Sequence, residues 1–177
     1  MSAIQNLLDN NRQWAETLDN DNPGLFDQLG SGQSPEYLWI GCADSRVPAT
    51  QLLDLKPGNV FVHRNIANVI VHSDINSLSV IQYAVEVLKV KHVIICGHYG
   101  CGGVKASMGD TQYGLIDNWL RHIKDVNRLH QEELNELDEE SRFTRLCELN
   151  VIEQVNNVCS TTIVVLVIIS SVDAILL

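Results

Sequence analysis

The sequence predicts an α/β fold, a mainly parallel β-sheet flanked by helices. Two patterns carry that prediction: short apolar runs of strand length alternate with longer segments of helical periodicity, and two of the apolar runs pass directly into loops rich in cysteine, histidine and glycine. The 177 residues suit one domain, and a hydrophobic content of 45% is enough for a real core.

Ile4, Leu7, Leu8 and Trp14 share one side of a predicted N-terminal helix, so residues 1–30 read as a helical arm. Residues 21–34 are turn-rich, with Pro23, Gly24, Gly30 and Gly32. Tyr37–Cys42 is a short apolar strand bounded by Pro35 and by the run CADSR. Pro57-Gly58 marks a turn and Asn59–His63 a second strand. Ser73 or Asp74 caps a helix carrying Leu78, Ile81, Val85 and Leu88. His92–Cys96 is a third strand, leading into GHYGCGG. Ile116, Trp119, Leu120, Ile123 and Val126 recur at helical spacing, and Leu146, Leu149, Ile152 and Val155 do so again. The acidic stretch 132–140 between them reads as a solvated face. Parallel sheets bind ligands beyond the C-terminal ends of their strands, where strand order reverses. If the first and third strands are neighbours, CADSR and GHYGCGG face one crevice.

The formal net charge is −10, which argues against nucleic acid and anionic membranes as partners. The longest apolar run, Ile163–Ile169, is far short of the roughly 20 residues a spanning helix needs. Five cysteines and an N-terminus without a signal-peptide pattern point to a reducing cytoplasm, where cysteines are metal ligands or buried thiols. Cys96, Cys147 and Cys159 read as buried thiols, and His63, His72, His92, His122 and His130 as structural or surface residues.

Cys42 and Asp44 leave one loop; His98 and Cys101 leave the other. Two thiolates and an imidazole suit zinc by softness and charge. Gly97, Gly100, Gly102 and Gly103 allow the tight backbone such a loop needs. Asp44 has two readings. As a fourth ligand it closes the site; drawn away by the bidentate guanidinium of Arg46, it leaves a position for water. GHYGCGG lacks the lysine-containing pattern of a phosphate-binding loop, which sets that function aside.

CADSRVP, FVHRNIAN and IICGHYGCGG, in this order, resemble the β-class carbonic anhydrases, especially the bacterial branch. The resemblance covers residues 1–158. It implies one zinc per chain on Cys42, His98 and Cys101, with Asp44 and Arg46 as a catalytic dyad. It implies reversible hydration of carbon dioxide to bicarbonate by a zinc-bound hydroxide, in a homodimer or homotetramer with its active site at a subunit interface. By motif position Gln33, Phe61, Ile66, Tyr83 and Gly102 would line the substrate pocket. A second, non-catalytic bicarbonate site of some bacterial members is matched by Trp39 and Arg64, without the accompanying tyrosine. Residues 159–177, CSTTIVVLVIISSVDAILL, depart from the family pattern of a further strand and helices, and resemble a truncated or divergent end. The β-branched stretch Thr162–Ile169 can still supply a strand to the sheet; without it an apolar edge lies open. A catalytically impaired zinc-binding remnant is the alternative that this tail raises.

Overall fold

The structure is a computed structural model that describes residues 2–165 and 171–176. The chain divides into two compact units, 1–33 and 34–177.

In the first unit, helix α1 (Ala3–Asp21) starts where the Ser2 hydroxyl accepts from the Gln5 N–H, a standard way of satisfying an orphan donor of the first turn. Helix α2 (Leu25–Gly30) follows, and the Trp14 and Phe26 rings meet edge-on at 6.1 Å. No residue of α1 is buried; Ile4, Leu7, Leu8 and Trp14 are all at least half exposed.

The second unit is built on a parallel sheet of order β2-β1-β3-β4. Strand β1 (Tyr37–Cys42) is central, with β2 (Val60–Asn65) on one side and β3 (His92–Gly97) on the other. The register sets Cys42 opposite Asn65, and Gly41 opposite Cys96. β1 and β3 are buried on both faces, which is why their sequences are unbroken apolar runs rather than alternating ones. Leu38, Ile40, Val93 and Ile95 pack on one face with Ile81, Val85 and Val151; Trp39, Ile94 and Cys96 pack on the other with Val47. Gly41 is required for a local reason: the Trp39 indole folds along the strand into the space a Cβ would fill.

After β1 comes the short helix α3 (Ala49–Leu52), and after β2 a tight, non-helical turn at Ile66–Asn68. Helix α4 (Ile75–Gln82) is capped by Asp74, whose carboxylate accepts from the N–H groups of Asn76 and Ser77. It widens into a π-helical turn at Tyr83–Val87, closed by Leu88 N–H donating to Tyr83 O at 3.0 Å. Beyond β3 follow α5 (Gly102–Ser107), α6 (Ile116–Leu129), α7 (Gln131–Asn135) and the long α8 (Glu139–Cys159). The acidic stretch is thus α7, a turn and the start of α8, which Asp138 caps. A third apolar cluster fills the space between α5, α6 and α8 and reaches Cys42 and Cys101.

Three expectations are corrected. Cys159, expected as a buried thiol, is exposed at the end of α8, while Cys96 and Cys147 are buried. Ile152 does not belong to the buried stripe of α8: it is 42% exposed, and the polar side chains Asn150 and Gln154 are buried in the stripe instead. The tail strand is also displaced. Thr162–Val165 forms a short helix, α9, while the strand that pairs in parallel with β3 is β4 (Ser171–Leu176), with Ile94 opposite Asp173. Residues 166–169 of the expected strand lie outside the described residues.

Candidate metal centre

The chain runs from β1 outward to β2, then back across β1 to β3. Connections therefore leave the adjacent strands β1 and β3 in opposite directions, opening a crevice between their C-terminal ends. Cys42 is the last residue of β1, and His98 is the first after β3. Cys101 follows after the turn Tyr99-Gly100, where Gly100 takes φ +66°, a conformation that strains any residue with a Cβ.

Three buried donor atoms converge. The ligand atoms of Cys42, His98 and Cys101 all lie within 4.8 Å of one another, and the two sulfurs are 4.0 Å apart. The His98 ring faces the Tyr99 carbonyl through Nδ1 at 3.0 Å. A proton on Nδ1 satisfies that contact and leaves Nε2 as the free lone pair. That Nε2 is buried without a hydrogen-bond partner. Such an orphan inside a ring of sulfurs fits a cation, and two thiolates with one imidazole fit zinc.

The two thiols perturb each other. Cys42 is brought down below the ordinary thiol range, chiefly because the Cys101 thiol donates to its sulfur. Cys101 is driven strongly upward by the same neighbour and by burial. Metal-ligating sulfurs bind as thiolates, so a cation held between the two would release their protons.

Asp44 stands outside the donor cluster. Arg46 Nε donates to its Oδ1 at 2.9 Å and Nη2 to its Oδ2 at 2.7 Å, with the Arg46 N–H adding a third bond at 2.9 Å. These bonds hold the Asp44 carboxyl well below the ordinary carboxylate range. Its Oδ2 remains 3.7 Å from His98 Nε2, beside the cluster but not in it. Of the two readings of Asp44, this is the one in which the arginine has withdrawn it. Arg46 also reaches the Gly100 carbonyl at 3.3 Å, tying the two loops together.

Arg64, expected at an anion site, is committed to the backbone. It donates to the Cys42 carbonyl from Nε and Nη2 at 3.0 and 2.7 Å, and to the Asp44 carbonyl at 2.7 Å. Its guanidinium lies 5.5 Å from the centre of the fully buried Trp39 ring. Arg64 and Trp39 thus meet, with loop carbonyls as the hydrogen-bond partners of the arginine.

The substrate-pocket residues separate into groups. Gly102 follows Cys101, and Ile66 precedes Ala67, whose N–H reaches the Cys42 sulfur at 3.4 Å. Phe61 and Tyr83 meet each other at 5.8 Å. Phe61 pairs with Leu38, four residues upstream of Cys42, about 13 Å along the strand. The chain's own fold does not bring these two rings to its own metal donors. Gln33 belongs to the first unit.

Sequence reasoning missed the residues around the turn at 65–70. Asn150, Gln154 and Asn157 of α8 bond to its backbone, as does Trp119 of α6. Their signal was available: amides spaced four and three apart on the stripe of α8 that should be apolar.

The sequence model of the carbonic anhydrase family matches residues 37–170. A carbonic anhydrase of Emericella nidulans is 52% identical over 159 residues, covering 89% of this chain and 70% of that protein. A tetrameric β-carbonic anhydrase of Sordaria macrospora superposes with TM-score 0.87 at 44% identity, covering 91% of this chain and 83% of that one. The β-carbonic anhydrase CafA of Aspergillus fumigatus gives TM-score 0.94 at 40% identity, covering 99% and 86%. These relatives are fungal, whereas the motifs alone point to the bacterial branch.

Proposed function

Because the chain belongs to the β-carbonic anhydrase family, we propose that it catalyses the reversible hydration of carbon dioxide to bicarbonate and a proton at the Cys42–His98–Cys101 centre. The observation that carries this reading is the pairing of three convergent buried donors with an Asp44 held clear of them.

Cys42, His98 and Cys101 hold the zinc. Zinc in such a site acts as a Lewis acid that makes bound water a nucleophile near neutral pH. The Tyr99 carbonyl fixes the His98 ring so that Nε2 is the donor. Arg46 holds Asp44 by two parallel bonds, and the Asp44 carboxylate keeps lone pairs with which to accept the hydrogen bond of the reacting water and aim it. Burial of all three donors keeps bulk water from competing for them. Gly102 adjoins the ligand Cys101, and Ile66 adjoins Ala67, whose N–H reaches the Cys42 sulfur. An apolar wall of Ile66, Phe61 and Tyr83 suits a linear, uncharged substrate. Since Phe61 lies about 13 Å down β2 from the chain's own donors, these rings serve a neighbouring copy. The active form is therefore a homodimer or homotetramer whose sites are shared between copies.

Exposed Ile4, Leu7, Leu8 and Trp14 on α1, and Val62 and Tyr83 near the β2 edge, supply apolar surface for that assembly. All five cysteines are free thiols, which supports a cytoplasmic location. No helix among the described residues is long and apolar enough to cross a membrane. Residues 1–158 are assigned to the zinc domain and 159–177 to a divergent tail.

Stopped-flow hydration of carbon dioxide at about pH 8.5, with zinc measured on the same sample, tests the proposal. We expect one zinc per chain and a rate well above buffer. Full zinc content with no rate would assign the chain a non-enzymatic, zinc-binding role.

A further inference from the structure

The turn Asn65–Ile70 is strained and held in that state from several sides. Ala67 takes φ +60° and Asn68 φ +47°, two successive residues in the left-handed region. Alanine carries a steric penalty there that glycine does not. Both residues are buried, and their side chains leave no slack: the space of a Cβ on Gly103 would lie 3.1 Å from the Ala67 Cβ and 3.0 Å from Ile66 Cγ2.

Strain persists only where the surroundings over-determine it, and here the restraints are explicit. Asn150 Nδ2 donates to the Ala67 carbonyl at 2.9 Å. Gln154 Oε1 accepts from the Ile70 N–H at 2.7 Å, and its Nε2 donates to Asn150 Oδ1 at 3.1 Å. Asn157 Nδ2 donates to the Ile70 carbonyl at 2.9 Å and to Gln154 Oε1 at 3.1 Å. Trp119 Nε1 donates to the Ile66 carbonyl at 2.8 Å, and Asn65 closes the turn on itself through Val69. Asn150 and Gln154 are 1% exposed. A buried polar chain of this kind is costly unless every member is satisfied, and a plain apolar stripe would pack α8 without it.

What the restrained turn does is direct one donor. The Ala67 N–H points at the Cys42 sulfur, 3.4 Å away. A hydrogen bond to a thiolate withdraws charge from it, and so changes how strongly that sulfur donates to a metal.

We propose that Asn150, Gln154 and Trp119 are positioning residues for the metal centre: they hold the left-handed turn so that the Ala67 N–H stays on the Cys42 thiolate, and thereby set the strength of zinc binding. The inference rests on the zinc reading of the Cys42–His98–Cys101 cluster. It predicts that the turn acts on the metal at a distance, through one backbone donor.

The test compares the full chain with Asn150→Leu, Trp119→Phe, and Asn150→Leu combined with Ala67→Gly. Zinc affinity is measured by chelator competition, and the cobalt-substituted protein gives the sulfur-to-cobalt charge-transfer band. Asn150→Leu should weaken zinc by roughly 10-fold or more, the usual effect of removing an outer partner of a metal ligand, and should move the band to lower energy. Adding Ala67→Gly removes the penalty of the left-handed backbone and should recover part of both changes; a packing role for Asn150 predicts no recovery. Trp119→Phe removes one bond at the half-buried side of the turn and should move the band in the same direction by less. If Asn150→Leu does not fold, Trp119→Phe alone decides. Wild-type affinity and an unmoved band in the folded variants would overturn the proposal, as would a loss that Gly at 67 does not relieve. A wild-type chain that binds no zinc would instead overturn the functional reading beneath it.

Discussion

Arg46 and Asp44 were legible in the sequence as a pair, but which of two states they adopt was not, since CADSR fits both a closed and an open site. In the structure Arg46 donates two parallel bonds to the Asp44 carboxylate, the arrangement the open reading requires. Arg46→Gln removes those bonds and frees a carboxylate oxygen that already lies 3.7 Å from His98 Nε2. We expect zinc content to be kept while hydration falls by roughly 100-fold or more, the scale of losing an oriented proton acceptor; stopped-flow rates with metal analysis check this. His63 offers a pH prediction. It is 6% exposed, and burial lowers it from its ordinary value of 6.5. The unfolded chain then binds more protons than the folded one as pH drops through about 6.5, so stability falls on acidification and is fully present above that pH. His63→Gln should flatten this acid limb in denaturant titrations at pH 5–7; an unchanged slope would mean that His63 does not contribute. The expectation that His63 is structural needs only its burial, whereas its place beside Asn65 Nδ2, 3.4 Å from Nε2, depends on the β2 backbone beyond the expected end of the strand.

At the level of elements, apolar runs located β1 and β3 almost to the residue, because strands buried on both faces leave an unambiguous signature. β2 was harder. Its sequence VFVHRN mixes exposed and buried positions, and it runs on to Asn65, two residues beyond the expected His63. The cap of α4 resolved to Asp74 rather than Ser73 because the carboxylate reaches two N–H groups at once. Asp74→Ala should cost about 1 kcal/mol of stability, read as a shift in denaturation midpoint without a change in slope. The π-helical turn at Tyr83–Val87 gave no sign in the periodicity: Ile81, Val85 and Leu88 satisfy an ordinary helix equally well. The amides of α8 were hidden for a related reason, since a hydrophobic pattern counts apolar positions and is blind to polar side chains whose partners are backbone groups of another element.

For the molecule as a whole, composition and order of elements sufficed for the fold class, and the two cysteine-bearing loops for the site, because the reversal of strand order fixes where a parallel sheet binds. Of the tail, Thr162–Val165 is helical despite its β-branched residues, whereas Ser171–Leu176, with the poor strand residues Ser171 and Asp173, pairs with β3, so pairing overrode local preference. Assembly is expected to depend on the apolar face of α1. Leu7→Glu with Trp14→Ser should shift sedimentation toward a single copy and reduce hydration with it; a monomer retaining full rate would contradict a shared site.

Cys42 and Cys101 stand 59 positions apart along the chain. A cation joining them acts as a cross-link, and by the arithmetic of loop closure removes about 4 kcal/mol of freedom from the disordered chain. It also imposes a timetable. While the polypeptide is being synthesised, the ion has no complete cage until Cys101 has left the ribosome and the third strand has docked beside the first. A cation can therefore be gripped by all three donors only after the third strand has docked beside the first.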